Sequence, residues 1–204
     1  MERKKLIEFR NITKSFDKQI TLKGINLDIF ENEFVTLLGP SGCGKTTLMR
    51  LLVGLEKPKR GTVKCVKRAS VVFQEDRLLP WFSALQNVMV VGASDSAARN
   101  VLRALGLTED EMQALPTHLS GGQQRRVALA RALAADSECL LLDEPFNGLD
   151  EGTWQNVVPL IAAYAEQKPV VLVTHIREQA EAMGASFIPL KSVPLSGELV
   201  TENL

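Results

Sequence analysis

The chain has 204 residues, of which 45% are hydrophobic and 24% charged, a composition typical of one globular domain with a sizeable core. Its 24 basic and 24 acidic residues cancel, so we expect no general attraction to nucleic acid and predict no nucleic-acid partner. No apolar run approaches the roughly 18 residues that cross a bilayer, so any membrane role is expected to depend on a partner. The three cysteines are odd in number and far apart, which fits a reducing compartment and indicates neither a disulfide framework nor a metal site.

Two kinds of strand are predicted along the chain. Alternating apolar positions predict antiparallel strands at 6–10 and 20–30, with turns at Asp17-Lys18 and Glu31-Asn32. Later runs are apolar throughout, as in parallel strands buried on both faces: Phe34–Leu38, Ser70–Phe73, Cys139–Leu142 and Val170–Val173. Because helical stretches separate most of these runs, the pattern predicts an α/β fold.

Each of the four later runs is followed by a residue suited to phosphate chemistry. These residues are Gly39, Gln74, Asp143 and, after Thr174, His175. In open parallel sheets, ligands bind beyond the carboxyl ends of the strands, so we expect these residues to meet at one sheet edge.

Strand signals largely stop between residues 76 and 120. We predict that Asp95 caps a helix from Ser96 to Leu105, and that Thr108 begins a second helix reaching about Leu115. This segment is interpreted as a small helical subdomain inserted into the α/β core.

A glycine-rich loop connects the strand 34–38 to a helix predicted over 47–55. Its residues are Gly39, Pro40, Ser41, Gly42, Cys43, Gly44, Lys45 and Thr46. Backbone N–H groups of such a loop wrap a β-phosphate, Lys45 reaches the β- and γ-phosphates, and the Thr46 hydroxyl ligates Mg²⁺. We also expect Cys43 to have enhanced thiolate character there, so that alkylation inactivates the protein and ATP protects it.

Acidic and polar groups complete the predicted site. Asp143 is expected to hold Mg²⁺ through water, and Glu144 to orient or deprotonate an attacking water. Gln74 and His175 are candidates for γ-phosphate and water contacts. Phe16 is a candidate for stacking on adenine, with a core aromatic as the alternative.

A second glycine-rich helix start lies at Leu119, Ser120, Gly121, Gly122 and Gln123. Ser120 and Gln123 form a capping box for a helix running to about Ala135. Two glycines weaken a helix start by about 1 kcal/mol each, which makes sense where another group must approach the backbone closely. A tight packing turn is the alternative explanation.

Taken together, these motifs resemble the ATP-binding-cassette family over nearly the whole chain. Gly39 to Thr47 resembles its Walker A motif, Leu119 to Gln123 its LSGGQ signature, and Cys139 to Glu144 its Walker B motif. Gln74 matches the Q-loop, Asp150 the D-loop and His175 the switch histidine. The resemblance implies a P-loop NTPase with a RecA-like core, an N-terminal antiparallel β subdomain and the helical subdomain, forming one nucleotide-binding domain without a C-terminal regulatory domain.

The resemblance also implies partners and cofactors. The expected cofactors are ATP and Mg²⁺, with Thr46, Gln74 and Asp143 at the metal. Two cassettes are expected to associate head to tail, each ATP lying between one chain's phosphate loop and the other's signature. The pair would drive membrane permease subunits from the cytoplasmic face.

A narrower resemblance is to the ATP-binding cassettes of bacterial importers of the nitrate/sulfonate/taurine type, and it is carried by residues 72–81, 87–88 and Glu144-Pro145-Phe146. Such importers use an extracytoplasmic solute-binding protein. An exporter subunit or a non-transport ATPase is the alternative. The chain departs from the family at Asn147-Gly148 in the D-loop, at His118 before the signature, and in a short segment 56–69.

Overall fold

The computed structural model describes residues 4–16, 19–31, 33–184, 186–190 and 195–199. Within these residues nine strands form two sheets, and the predicted turn at Asp17-Lys18 and Asn32 of the second turn lie outside them. The strands are β1 (Lys5–Phe16), β2 (Gln19–Phe30), β3 (Phe34–Leu38), β4 (Arg60–Lys64), β5 (Ala69–Val72), β6 (Cys139–Asp143), β7 (Val170–Thr174), β8 (Ser186–Pro189) and β9 (Leu195–Glu198). The helices are α1 (Lys45–Leu52), α2 (Ala84–Met89), α3 (Asp95–Ala104), α4 (Glu109–Gln113), α5 (Gly121–Ala134), α6 (Glu151–Ala165) and α7 (Arg177–Ala182).

The first sheet has the order β4-β1-β2-β9. β1 pairs antiparallel with β2 and with β4, as the alternating pattern predicts, whereas β9 pairs parallel with β2. β1 is longer than predicted and contains bulges in its pairing with β2. The segment 56–69 supplies the single strand β4 to this sheet.

The second sheet is parallel throughout and has the order β5-β6-β7-β3-β8. Its strands are apolar on both faces because both faces are covered. Leu140, Leu142 and Leu172 pack into a core on the helical side, whereas Leu141 and Val171 pack into a core shared with α1 and the first sheet. The predicted α/β class is therefore confirmed.

Three short helices lie within the segment 76–120. The first, α2, has no counterpart in the prediction; it begins at Ser83, whose side chain and Gln86 form a capping box. The predicted cap at Asp95 is wrong, because Ser94 caps α3 and Asp95 instead pairs with Arg99 one turn later. The capping box at Thr108 is confirmed, but α4 ends at Gln113 and a 3-10 turn follows at Pro116–His118.

Long helices flank the second sheet on the side of this segment. α5 packs against α2, α3 and β5, and its capping box at Ser120 is present as predicted. α6 begins at Asp150, whose carboxylate accepts a hydrogen bond from the Thr153 amide. No helix among the described residues has both the length and the apolar character that crossing a membrane requires.

Candidate functional site

A cleft of about 310 Å³ lies where β3, β5, β6 and β7 end. Its lining combines residues of the glycine-rich loop and α1, residues at or after the ends of β5, β6 and β7, and one residue of β2. These residues are Thr21, Ser41, Gly42, Gly44, Lys45, Thr46, Thr47, Gln74, Asp143, Glu144, Asn147 and His175. The predicted meeting at one sheet edge is therefore confirmed for Gln74, Asp143 and His175, whereas Gly39 is not among the residues that line the cleft. A volume of this size is at the lower end of the range for small-molecule sites.

The glycine-rich loop has the backbone conformations that its glycines permit. The backbone φ angles of Gly42 and Gly44 are 78° and 107°, values that residues with a side chain rarely adopt. Gly44 is also the N-cap of α1. Gly39 also leaves no room for a side chain, because a Cβ atom there would come within 2.7 Å of the Leu190 Cβ atom. The loop therefore leads directly into a helix N-terminus, the arrangement that binds phosphate groups through backbone N–H donors.

Lys45 is nearly buried at the start of α1. Its Nζ atom donates hydrogen bonds to the carbonyl oxygens of Gly39, at 2.6 Å, and Pro40, at 3.0 Å. The ammonium group thus lies within the loop itself, next to the donors that a phosphate would contact. Its position fits the predicted role of neutralising phosphate charge.

Thr46 and Asp143 bring two hard oxygen ligands together. Thr46 Oγ1 donates a hydrogen bond to Asp143 Oδ2 at 2.9 Å, although the residues are 97 positions apart. Burial raises the pKa of Asp143 and the nearby Glu144 raises it further, while the Thr46 hydrogen bond opposes the shift. A divalent cation would stabilise this desolvated carboxylate, and hydroxyl and carboxylate oxygens are ligands that Mg²⁺ takes together with phosphates and water.

The carboxylate of Glu144 is held on one side only. Its Oε1 atom lies 2.8 Å from Nδ1 of His175, and its amide donates to the Val173 carbonyl at 2.8 Å. The Oε2 atom is buried and has no hydrogen-bond partner among the described residues. Because a buried acceptor without a partner is costly, this oxygen fits a donor that arrives with substrate, such as a water molecule.

Some predicted residues do not line the cleft. Cys43 is only 1% exposed and its side chain packs in the core with α1, which argues against the expected reactive thiol. Pro40 does not line the cleft either, and its carbonyl oxygen accepts hydrogen bonds from Lys45 Nζ and from the Cys43 amide. Phe16 lies at the end of β1, partly exposed, with the Lys14 ammonium 5.0 Å from its ring centre. Stacking of Phe16 on adenine stays a prediction.

The signature residues are separated from the cleft within one chain. None of Leu119, Ser120, Gly121, Gly122 and Gln123 is among the described residues that line it. Space around Gly121 is open, whereas a Cβ atom on Gly122 would lie 3.2 Å from the Gly148 carbonyl of the D-loop. The close contact at Gly122 is therefore with another part of the same chain, whereas the space at Gly121 can accept a group from another molecule.

The D-loop residue Asp150 acts as a helix cap in this structure. Hydrogen bonds from the Thr153 hydroxyl and amide lower the pKa of Asp150, and its side chain is directed to its own helix. Thr21 lines the cleft but was not singled out from the sequence, since it belongs neither to a predicted strand end nor to the glycine-rich pattern. Asn147, noted in the sequence only as a departure in the D-loop, also lines the cleft. A larger groove of about 460 Å³ between α3, α5 and α6 is mostly apolar and lies away from these groups.

Comparison with known proteins gives the family. The family model described as ABC transporter matches residues 22–147, more than half of the chain. The chain belongs to the ABC transporter family. The cleft contains residues of the glycine-rich loop together with Asp143, Glu144 and His175, which carry the resemblance to this family.

Curated ABC relatives match most of the chain. It is 40% identical to an aliphatic sulfonates import ATP-binding protein, SsuB 2, of Paraburkholderia xenovorans strain LB400, over 97% of this chain and 81% of that protein. It is 45% identical to SsuB 1 of Agrobacterium fabrum strain C58, over 92% of this chain and 71% of that protein.

Solved ABC cassettes have the same fold. The dimeric structure of the cassette MJ0796 superposes with a TM-score of 0.85 at 33% identity, covering 98% of this chain and 99% of that one. A dimeric post-hydrolysis state of MJ0796 bound to ADP and Pi gives a TM-score of 0.86 at 32% identity over the same coverage. The predicted P-loop NTPase fold is therefore confirmed.

Proposed function

We propose that this chain binds and hydrolyses MgATP as one of two cassettes of a membrane importer. The observation that carries the proposal is the cleft in which the glycine-rich loop, the Thr46–Asp143 pair and the Glu144–His175 pair converge. Each group has a counterpart in the chemistry of phosphoryl transfer to water, which depends on positioning and charge stabilisation.

We assign these roles to the residues of the cleft. The loop amides and Lys45 hold the phosphates, and Thr46, Gln74 and Asp143 would hold Mg²⁺, Asp143 through water. When bound, the metal neutralises charge on the phosphate oxygens. Glu144 orients the attacking water and accepts its proton at Oε2, while His175 holds Oε1 and Gln74 contacts the γ-phosphate or the water.

The separation of the signature from the cleft supports a head-to-tail pair. Ser120 and the open backbone at Gly121 form a second helix start of the kind that favours anions, on α5 of the same chain. In a pair of chains, each signature would complete the phosphate site of the other. The dimeric MJ0796 structures support this arrangement.

An exposed aromatic residue supports docking to a permease. Trp81 is 69% exposed in the segment after Gln74, which the family resemblance assigns to the contact with the membrane subunit. The chain would then lie at the cytoplasmic face of the membrane, held there by the permease. The relatives' names support an aliphatic sulfonate or a similar small anion as the solute. In such an importer a solute-binding protein would deliver the solute.

The test is the Glu144→Gln variant, which keeps the shape of the side chain but removes its basicity. We expect its turnover to fall by roughly 10²- to 10⁴-fold with ATP binding retained, so that a stable dimer forms with ATP. The exposed Glu166→Gln variant is the control. Unchanged turnover in Glu144→Gln would rule out Glu144 as the base. Uptake of a labelled sulfonate by cells with and without the chain separates import from the alternatives.

A further inference from the structure

Arg125 of α5 is a buried cation that does not line the cleft. Only 2% of its surface is exposed, and burying a guanidinium is costly unless its donors find acceptors. All three of its guanidinium nitrogens have acceptors, and these belong to two loops far apart in sequence. The side chain is therefore a fixed connection between the two loops.

The first loop follows β5 and contains Gln74. Arg125 Nη1 donates hydrogen bonds to the carbonyl oxygens of Phe73, at 2.6 Å, and Gln74, at 3.4 Å. The same nitrogen forms an ion pair with Asp76 at 2.9 Å. These contacts fix the backbone on both sides of the Gln74 side chain, which itself lines the cleft.

The second loop follows β6 and contains Glu144. Arg125 Nη2 donates to the carbonyl oxygens of Asp143, at 3.2 Å, and Glu144, and Nε donates to the Pro145 carbonyl at 3.0 Å. The guanidinium thus contacts three consecutive peptide groups around the residue assigned as the base.

The backbone of Glu144 needs such support. Its φ is 50°, a left-handed conformation that residues other than glycine adopt only at a cost in free energy. The Val173 carbonyl holds its amide and Arg125 holds its carbonyl oxygen, so both peptide groups of this residue are fixed. This conformation places the carboxylate in the cleft beside His175.

We propose that Arg125 is a positioning residue for hydrolysis, setting the places of Gln74 and Glu144 together through their backbone carbonyls. The inference rests on the proposed ATPase function. Because Arg125 lies on the helix that begins at the signature, a displacement of α5 would move both loops in concert. Because Arg125 does not line the cleft, we expect it to act on the nucleotide only through these loops.

The test compares Arg125→Ala and Arg125→Lys with Arg126→Lys, all in the full-length chain. Arg126 is the matched control because it is the next residue of α5 and, among the described residues, donates only to the carbonyls of Leu105 and Gly106. We expect kcat of Arg125→Ala to fall roughly 100-fold, the size of effect that misplacement of catalytic groups produces, with ATP affinity near the wild-type value. Arg125→Lys keeps the charge but not the fork of donors, so its kcat should be intermediate.

Two further measurements separate positioning from loss of structure. Added guanidinium ion should restore part of the turnover of Arg125→Ala and none for a variant that is merely unstable. Hydrogen exchange in Arg125→Lys should increase in 73–77 and 143–146 together, with α3 unchanged. Where Arg125→Ala does not fold, Arg125→Lys carries both comparisons.

If the Arg125→Ala variant, or Arg125→Lys where the alanine variant does not fold, turned over ATP as fast as Arg126→Lys, the inference would be overturned. Parallel losses of ATP affinity and turnover without rescue would also overturn it, since they indicate a structural role alone. Absence of ATPase activity in the wild-type chain would instead contradict the proposed function. In that case hydrogen exchange still decides the inference, because unchanged exchange in either loop overturns it.

Discussion

His175 contacts one oxygen of the Glu144 carboxylate and does not contact the other. Nδ1 of the imidazole lies 2.8 Å from Oε1, while Oε2 is buried without a partner among the described residues. The two residues follow neighbouring strands, β6 and β7, so the sheet itself sets their separation. The contact orients the carboxylate so that its unpaired oxygen is available to a water molecule.

Removing the imidazole should therefore lower the turnover rate, and should weaken nucleotide binding to a smaller extent. We expect kcat of His175→Ala to fall roughly 10- to 100-fold because the base loses its orienting partner. His118→Ala is the control, since His118 is the other histidine of the chain, is exposed and has no contact in the cleft. Steady-state ATPase kinetics measure both, and equal kcat values for the two variants would contradict the role of His175.

A site shared between chains predicts complementation of two inactive variants. Lys45→Ala disables the phosphate loop and Ser120→Arg blocks the signature, so each alone should show little ATPase activity. Mixed dimers contain one site made from the intact halves, so an equimolar mixture should recover up to about a quarter of the wild-type rate. A mixture no more active than its components, despite dimer formation by size analysis, would contradict the shared site.

The cysteines should react slowly with alkylating reagents in the folded chain. Burial raises the pKa of Cys139 to about 12 and also raises the pKa of Cys65, so little reactive thiolate exists near neutral pH. Labelling should become faster as the pH rises toward these raised values. Cys43 is buried in the core, so we expect its labelling to be slow with or without ATP.

Mass spectrometry of the labelled chain measures this prediction, and the unfolded chain, in which all three thiols should react, is the control. Fast labelling of Cys43 that ATP prevents would restore the original expectation of a reactive thiol in the loop.

Trp81 should affect coupling to the permease and not hydrolysis by the free chain. We expect Trp81→Ala to keep the ATPase rate of the isolated chain while co-purifying less membrane subunit, because buried aromatic anchors carry much of the binding energy of interfaces. Leu55→Ala is the control, since Leu55 is similarly exposed but belongs to another part of the surface. Undiminished co-purification would exclude this surface as the docking site.

Asn87 should be important for the stability of the segment that presents Trp81. Its fully buried amide accepts a hydrogen bond from the Leu79 amide at 2.8 Å and donates to the carbonyls of Leu79, Phe82 and Ser83. Asn87→Ala removes the partner of the Leu79 amide and the Phe82 carbonyl, so the free energy of unfolding should fall by about 2 to 3 kcal/mol. The carbonyls of Leu79 and Ser83 keep their hydrogen bonds from the amides of Phe82 and Asn87. Asn100→Ala, on the exposed face of α3, should change it by less than about 0.5 kcal/mol in urea unfolding.

Local patterns were sufficient where the chemistry is carried by contiguous residues. The glycine-rich loop, the acidic end of β6 and the capping boxes at Thr108 and Ser120 each depend on neighbours in sequence, and the structure has them as predicted. The cap of α3 was misplaced by one residue because Ser94 and Asp95 are both able to cap a helix. Helix α2 was missed because six residues are too few for a periodic signal.

The sequence by itself determined the parallel sheet and the four polar strand ends, because strand burial and strand direction are encoded in short apolar runs. Only the tertiary structure decided that Cys43 faces the core, that Gly122 meets the D-loop carbonyl, and that Arg125 connects the loops of Gln74 and Glu144. These contacts join residues about 20 to 50 positions apart or depend on which way a side chain points. Such relationships arise from packing of whole elements, which no local pattern of residues records.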